Sequence, residues 1–512
     1  MSLVQEAGST AIAQFAVPLN GTQRSTAIHL VSSDALFDSL NVFIRKGKLR
    51  SRPGLVLLNE TVFNAPITGG AMAVTPTEKI LLAINRFALY TLTASDAEWQ
   101  LDTTANFSFT DNDTIDTCFL ETSNEYVCII ANENFPLKYW KQGSGAAAIF
   151  PSVGVVPTAK SVCTATRRIV ALIDPHTIQW SATLDYTNWP PLAVTKIAQT
   201  NDTGICVRSL GTLDFVIYKE RSVYVAKAQA GSDSNAFNIR FLQHIEGPAG
   251  VNAVVNANDV HYYMTKNGRI ASFDGNSYIE WIADGLWLYL QDDIDPRYAA
   301  KIFGVFDFRL HTVTFYYPKV TDTNGLMTGM VVICLPLRGL DVQQTSQVGI
   351  SVKKKDAAFL GISRKPCCFG YEMRFKEQID RSLIFTSVFE DCQSFYSSED
   401  AADDDGLVYD SHIQTGCFPM PELKHSNVSI EPFFERQDGY GKVNVNAVTL
   451  DSLENETGTI SDEAQIIDLN SNPVREYIGF NIPTRFFGLK YTWTSVDKIR
   501  YAGSSVYGRT LS

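Results

Sequence analysis

The sequence predicts an all-β protein: a β-propeller-like domain of about six or seven blades, with an N-terminal arm and a C-terminal β-sandwich-like domain. Three observations predict it. A strand–turn–strand phrase recurs, in LLAINRFALYTL from Leu81, YVCIIANENFPLKYW from Tyr126, RIVALIDPHTIQWS from Arg168, FVIYKERSVYVAK from Phe215, VHYYMTKNGRIASFD from Val260 and FGVFDFRLHTVTFYY from Phe303. Its turn residues Arg86, Asn132, Asp174, Glu220, Asn267 and Arg309 stand 42 to 47 residues apart, the period of propeller blades. Helical periodicity is scarce, while short apolar runs bounded by Asn, Asp, Gly or Pro dominate.

Taken in order, Met1 to Leu40 reads as an arm with two apolar pieces, AIAQFAV and STAIHLV, around Asn20-Gly21. Unpaired strand pieces of this kind call for an edge to pair with, in this chain or a neighbour. Residues 41–397 read as the propeller. They open on NVFIRKGKLRSRPGLVLL, a hairpin turning at Lys46-Gly47-Lys48 and interrupted by Pro53-Gly54, which belongs to the first blade or closes the ring. Trp99, Trp140, Trp189 and Trp281 are candidates for aromatics of outer strands. GSGAAA (Gly143–Ala148) and QAGSDSNAF (Gln229–Phe237) read as connections between units. After Phe315 the rhythm weakens, although MTGMVVICLPL and LIFTSVFEDCQSFYS still read as strands of a final blade. SSEDAADDDG follows. Its residues 398–406 read as a solvated loop or a linker, or as a divalent-ion loop that lacks EF-hand spacing. Residues 407–512 alternate apolar and polar side chains in five or more segments, the pattern of a second β-domain.

The chain has 512 residues, 45% of them apolar, enough to bury a large core. No apolar stretch approaches the ~20 residues that span a bilayer. The first residues lack a basic n-region and an apolar h-region, so no cleavable signal peptide is expected. A net charge of −12 disfavours gripping nucleic acid through its phosphates or adhering to an anionic membrane. It leaves room for DNA passing a repulsive lining. The nine cysteines are odd in number and contain no CxxC, which reads as free thiols made in a reducing cytoplasm. The sequons at Asn20 and Asn427 then have no use.

No catalytic, cofactor-binding or metal-binding residue is assigned. The seven histidines form no HExxH, HxH or zinc-spaced pair; His261 and His311 fall in hairpins, as core or surface residues. GxxxxGK[ST], GxGxxG and GxSxG are absent. Ser95-Asp96-Ala97-Glu98-Trp99 faintly resembles the aspartate box of sialidases but lacks its glycine. KGKLRSR (Lys46–Arg52) is the densest basic run, read either as a solvated hairpin edge or as a contact for phosphate or an acidic partner.

Four phrases, in this order, resemble the tail hub or nozzle proteins of short-tailed bacteriophages. They are Leu49-Arg50-Ser51-Arg52-Pro53-Gly54; Trp180-Ser181 with Asp185-Tyr186-Thr187-Asn188-Trp189-Pro190; Leu213-Asp214-Phe215-Val216-Ile217-Tyr218 with Ser222-Val223-Tyr224; and Arg485-Phe486-Phe487-Gly488-Leu489-Lys490. The resemblance implies a structural, non-catalytic virion protein of the tail, made in the bacterial host cytoplasm. It implies a homohexameric ring below the adaptor and portal that conducts double-stranded DNA without specific binding and holds a needle, plug or fibres. A second reading, from the propeller period and the aromatics, is a glycan-binding or glycan-cleaving propeller of sialidase or lectin type. A third, a scaffold of WD-type repeats, lacks their Gly-His and Trp-Asp signature.

Overall fold

The computed structural model describes residues 10–15, 17–45, 47–75, 78–103, 110, 113–122, 125–142, 148–149, 155–275, 278–323, 325–335, 357–375, 378–386, 392–419, 427–434, 441–450, 458–469, 478–481, 486–494 and 499–509. Among these, no helix is long and apolar enough to cross a membrane. Nearly all regular structure is antiparallel strand.

Five successive blades follow the sequence rhythm. Blade 1 is Gly69–Val74, Lys79–Ile84, Leu89–Leu92 and Gln100–Thr103; blade 2 is built on Asp116–Glu121, Tyr126–Lys141 and Ala148–Ile149. Blade 3 is Ser161–Ala165, Arg168–Asp174, Thr177–Trp180 and Val194–Lys196, and blade 4 is Gly204–Leu210, Asp214–Lys219, Ser222–Ala228 and Phe237–His244. Blade 5 is Val254–Ala257, Val260–Met264, Ile270–Phe273 and Glu280–Ile282. The inner strands read as unbroken apolar runs because a neighbouring blade covers each face; Ile80 to Ile84 and Ser222 to Ala226 are buried throughout. Their turns carry the expected chemistry. Asn85 Oδ1 accepts the Phe87 and Ala88 N–H groups, Asn132 Oδ1 that of Asn134 and Asp174 Oδ1 that of His176, as Asx turns do.

Blades 6 and 7 share one seven-stranded sheet. Phe303–Asp307, Thr312–Tyr317 and Met327–Cys334 lead to the 19-residue strand Ala357–Phe375. Ala357 to Ile362 pair with blade 6; Cys367 to Phe375 pair with Gln378–Thr386 of blade 7. Pro366 lies at the changeover, where a missing N–H costs no ladder bond. Ser394–Ser398 follows, and the outermost strand of blade 7 is Gly54–Leu57, from the start of the chain. The six hairpins thus fall in six successive blades, although Arg309 turns between the first and second strands of its blade rather than between the second and third.

Seven apolar clusters fill the seven junctions of this ring, each drawing on two adjacent blades. The junction that closes it joins Phe369, Met373, Leu383 and Phe385 of blade 7 to Leu81, Ala83, Leu92 and Trp99 of blade 1. Full burial of a side chain of this size contributes about 1.5–3 kcal/mol, so every junction holds firmly.

The second domain is a sandwich of two sheets sharing one core. One sheet orders Val42–Arg45, Lys48–Ser51, Arg500–Arg509, Asn427–Phe434 and Ile478–Asn481, with Thr10–Phe15 also on Arg500–Arg509. The other orders Leu36–Leu40, Asp410–Thr415, Phe486–Thr494 and Lys442–Leu450, with short edge strands beside them. Of the two expectations for the N-terminal stretch, an edge in this chain or in a neighbour, the first holds: Thr10–Phe15 and Leu36–Leu40 pair with C-terminal strands of their own chain, which satisfy their backbone donors and acceptors. Val42–Ser51, expected in the propeller, is a sandwich hairpin; the crossing into the propeller comes at Arg52–Gly54.

Candidate functional site

Propeller function concentrates at the axis and the rim, and at this axis polar groups brace the first strands. Asp116, opening blade 2, accepts from Ser161 Oγ (2.5 Å) and the Val162 N–H (2.9 Å) of blade 3. Arg208 of blade 4 donates from Nη1 to Asp116 (2.7 Å) and Ser161 Oγ (3.3 Å), and from Nη2 to the Val251 carbonyl ahead of blade 5. Burial disfavours its charge; Asp116 beside it outweighs that and holds the guanidinium above its ordinary pKa. A second tier runs parallel. Thr164 Oγ1 donates to the Phe119 carbonyl (2.6 Å), Ser209 Oγ to that of Thr164 (2.7 Å), and His261 Nε2 to that of Ser209 (2.7 Å). A carbonyl only accepts, so Nε2 carries the proton and Nδ1 accepts from the Tyr218 hydroxyl (3.0 Å). Burial pushes the His261 pKa down to about 4. These groups engage one another rather than facing an open reaction centre, and they tie four blades together.

The seam between the domains carries the other concentration of charge. Arg52 is buried and uses all five donors: Nε to Asn41 Oδ1 (3.1 Å), Nη1 to Asp404 Oδ1 (2.9 Å) and the Pro53 carbonyl (2.9 Å), Nη2 to Asp404 Oδ2 (2.5 Å) and the Ile362 carbonyl (2.9 Å). Its guanidinium lies 3.9 Å from the ring centre of Tyr409, whose hydroxyl donates to the Arg52 carbonyl (2.6 Å). Burial alone would lower the arginine pKa, but Asp404 and then Tyr409 raise it. Burial pushes the Tyr409 hydroxyl up to about 12. A Cβ on Gly54 would overlap the Asp403 carbonyl, so the Arg-Pro-Gly step requires glycine there. Around this latch, Glu399 pairs with Arg45, Arg50 (3.3 Å) and Arg309 (3.9 Å), and Lys365 pairs with Asp405 (2.8 Å). The basic run from Lys46 and the acidic run to Gly406 are therefore each other's partners; Lys46 itself lies outside the described residues.

The other sequence candidates are structural. Asp96 accepts from the Thr93 N–H and hydroxyl, and Trp99 is buried with Nε1 on Ser394 Oγ (2.9 Å), so the aspartate-box-like phrase is a packed blade turn. Trp140 donates to Asp102 (2.7 Å) and Trp189 to the Tyr186 carbonyl (3.1 Å), both from buried rings. Trp281 is half-buried, over Arg269. Asp185 folds a turn onto Thr187, and Tyr186 donates to Glu125 (2.8 Å), docking the Trp180–Pro190 phrase on blade 2. His311 sits in the tight turn after Asp307 with a φ of 53°. All nine cysteines are free thiols; burial raises Cys118 and Cys206 to about 12. Among the described residues, no three or more His, Cys, Asp or Glu side chains gather as a metal site. Sequence reasoning missed the axial girdle. Part of its signal was there: Asp116 with Ser161 and Val162, Phe119 with Thr164, and Thr164 with Ser209 stand 45 or 46 residues apart, the blade step itself.

Fold and site together define a seven-bladed β-propeller fused to a β-sandwich made from both ends of the chain. No family model and no curated protein matches it. Among solved structures it is similar to U3-55K (TM-score 0.42, 9% identity, 67% of this chain and 99% of that one). It is similar also to the RRP9 WD40 repeats (0.42, 8%, 68% and 98%) and to BBS1N in complex with ARL6DN (0.40, 9%, 70% and 99%). The propeller itself rests on this chain's own strand pairing.

Proposed function

We propose that this chain is a structural, non-catalytic subunit of a bacteriophage tail, forming a closed homohexameric ring of nozzle or hub type. Such a ring conducts double-stranded DNA on ejection, docks on an adaptor and portal above, and anchors a needle, plug or fibres below. The observation that carries the reading is the latch: the Leu49–Gly54 phrase shared with that family is here the five-donor junction of Arg52 with Asp404. The other three phrases also fall at fold-determining places, in blade 3, in the middle strands of blade 4 and in a central sandwich strand. A subunit that carries load needs its domains fixed, and this junction fixes them. Of the four tryptophans read as outer-strand aromatics, Trp99, Trp140 and Trp189 are buried.

The net charge of −12 suits a bore of acidic and neutral side chains past which phosphates slide. Electron microscopy and mass measurement of the virion tail test the proposal. The expected result is a closed six-copy ring with such a bore. A monomer in the assembled particle, or a bore dominated by Lys and Arg, overturns it. Glycosidase activity abolished by Asp116→Asn in a folded protein establishes the enzyme reading instead.

A further inference from the structure

Arg269 differs from the arginines of the latch and the axis. It stands just before the third strand of blade 5, where its N–H bonds Thr265 Oγ1 (3.1 Å). Two indoles pack on its guanidinium: Trp281, 4.7 Å away on the outermost strand of that blade, and Trp287, 4.1 Å away at the start of the helix Trp287–Asp293. Among the described residues, no carboxylate pairs with it, and Arg269 Nε and Trp287 Nε1 are buried without a hydrogen-bond partner. A buried donor left without an acceptor is costly, because it has given up water for nothing. Stacking holds the planar fork in place and leaves its edge for an incoming acceptor, the geometry that favours a carboxylate. Three residues before Trp281, Tyr278 is 71% exposed, and Leu288, which follows Trp287, is 49% exposed. Trp and Arg flanked by apolar surface is the composition of an interface hot spot.

The sandwich carries a surface of matching chemistry. The strands Thr459–Ile460 and Gln465–Asp468 both pair with Lys442–Leu450 and leave an outer edge. From Thr459 to Ile466 nearly every side chain is exposed, Ile460 at 39% and Ile466 at 61%, and among the described residues no cation pairs with Asp462 or Glu463. One domain thus shows an unneutralised cation among apolar side chains, and the other shows unneutralised anions among apolar side chains.

We propose that the Arg269–Trp281–Trp287 clamp receives an Asp462 or Glu463 carboxylate from a second copy of this chain, with Ile460 and Ile466 against Tyr278 and Leu288. The contact joins different surfaces of identical subunits, so it repeats head to tail and closes a ring when the rotation allows. It rests on the ring reading for the identity of the partner.

The test uses the full chain in sedimentation over a range of concentrations. Arg269→Glu, and separately Asp462→Lys with Glu463→Lys on the exposed edge, should each weaken association by about thirtyfold or more. A chain carrying all three changes should associate again. A second measurement titrates a synthetic peptide of residues 458–469 against the tryptophan fluorescence of the Asp462→Lys/Glu463→Lys chain. Saturable quenching, lost in the further Arg269→Met variant, supports the clamp even where the isolated chain stays monomeric. An assembly that forms normally with the edge variants overturns the inference and leaves the ring standing. Absence of peptide quenching likewise overturns it.

Discussion

Replacing Arg52 by Met tests the latch most directly. The change keeps most of the side-chain length and removes one charge and five donors. Asp404, buried, would then keep the Arg364 N–H (2.9 Å) as a donor to its carboxylate, and the carbonyls of Pro53 and Ile362 would each lose a donor. Breaking a buried pair by removing one partner costs about 3–5 kcal/mol, because the other charge stays behind without compensation. Asp404→Leu should cost about as much, for the same reason in reverse. The double variant Arg52→Met/Asp404→Leu buries no charge, so its loss should fall short of the sum of the two by more than about 2 kcal/mol. Urea unfolding followed by circular dichroism and tryptophan emission measures all three. Trp493 reports from the seam itself, where its Nε1 donates to Ser51 Oγ (2.8 Å). A loss below about 1 kcal/mol for Arg52→Met, the size seen for exposed pairs, would refute the argument.

Two further outcomes follow from the same structure. His261 is neutral when folded, with a pKa of about 4 against 6.5 unfolded. The unfolded chain therefore binds the extra proton, and stability should fall as pH drops from about 6.5 towards 4, by about 2 kcal/mol between pH 6.5 and 5. His261→Gln, which can still donate to the Ser209 carbonyl, should lose that slope; parallel wild-type and variant curves would count against the neutral buried ring. Gly54→Ala should cost about 2 kcal/mol in urea, since its methyl meets the Asp403 backbone and not a flexible side chain; an unchanged midpoint would contradict the close approach.

The first five blades were legible because each contains a short local hairpin, with Asx chemistry at the turns of blades 1 to 3. Blade 7 was not. One strand runs from blade 6 into it without a turn, and its last strand, Gly54–Leu57, comes from the other end of the chain. The latch was legible only as one alternative: the basic run reads as a solvated edge or as a contact for phosphate or an acidic partner, but Arg52 and Asp404 stand 352 residues apart, so nothing local names the acidic run as that partner. The arm showed its strand at Thr10–Phe15 in AIAQFAV, but STAIHLV holds a 3-10 turn at Ile28–Leu30 and the second strand lies beyond it at Leu36–Leu40; the partners on Arg500–Arg509 and Asp410–Thr415 leave no local trace. The clamp at Arg269 was hidden in an ordinary blade phrase, because stacking between two indoles depends on where the helix at Trp287 returns.

The origin of that closing strand sets the order in which the molecule can be made. Gly54–Leu57 leaves the ribosome early and must wait for Phe395 and its neighbours, while Thr10–Phe15 waits for Ser504 to Gly508. At about 5–20 residues per second the wait approaches the whole synthesis of the chain, roughly 25–100 s. Blades 1 to 5 have their partners as they emerge, but the ring cannot close until Ser394–Ser398 is free, nor the sandwich be completed until Arg500–Arg509 is. Nascent chains interrupted before Arg500–Arg509 would carry bare apolar strand edges, which makes them substrates for chaperones and proteases.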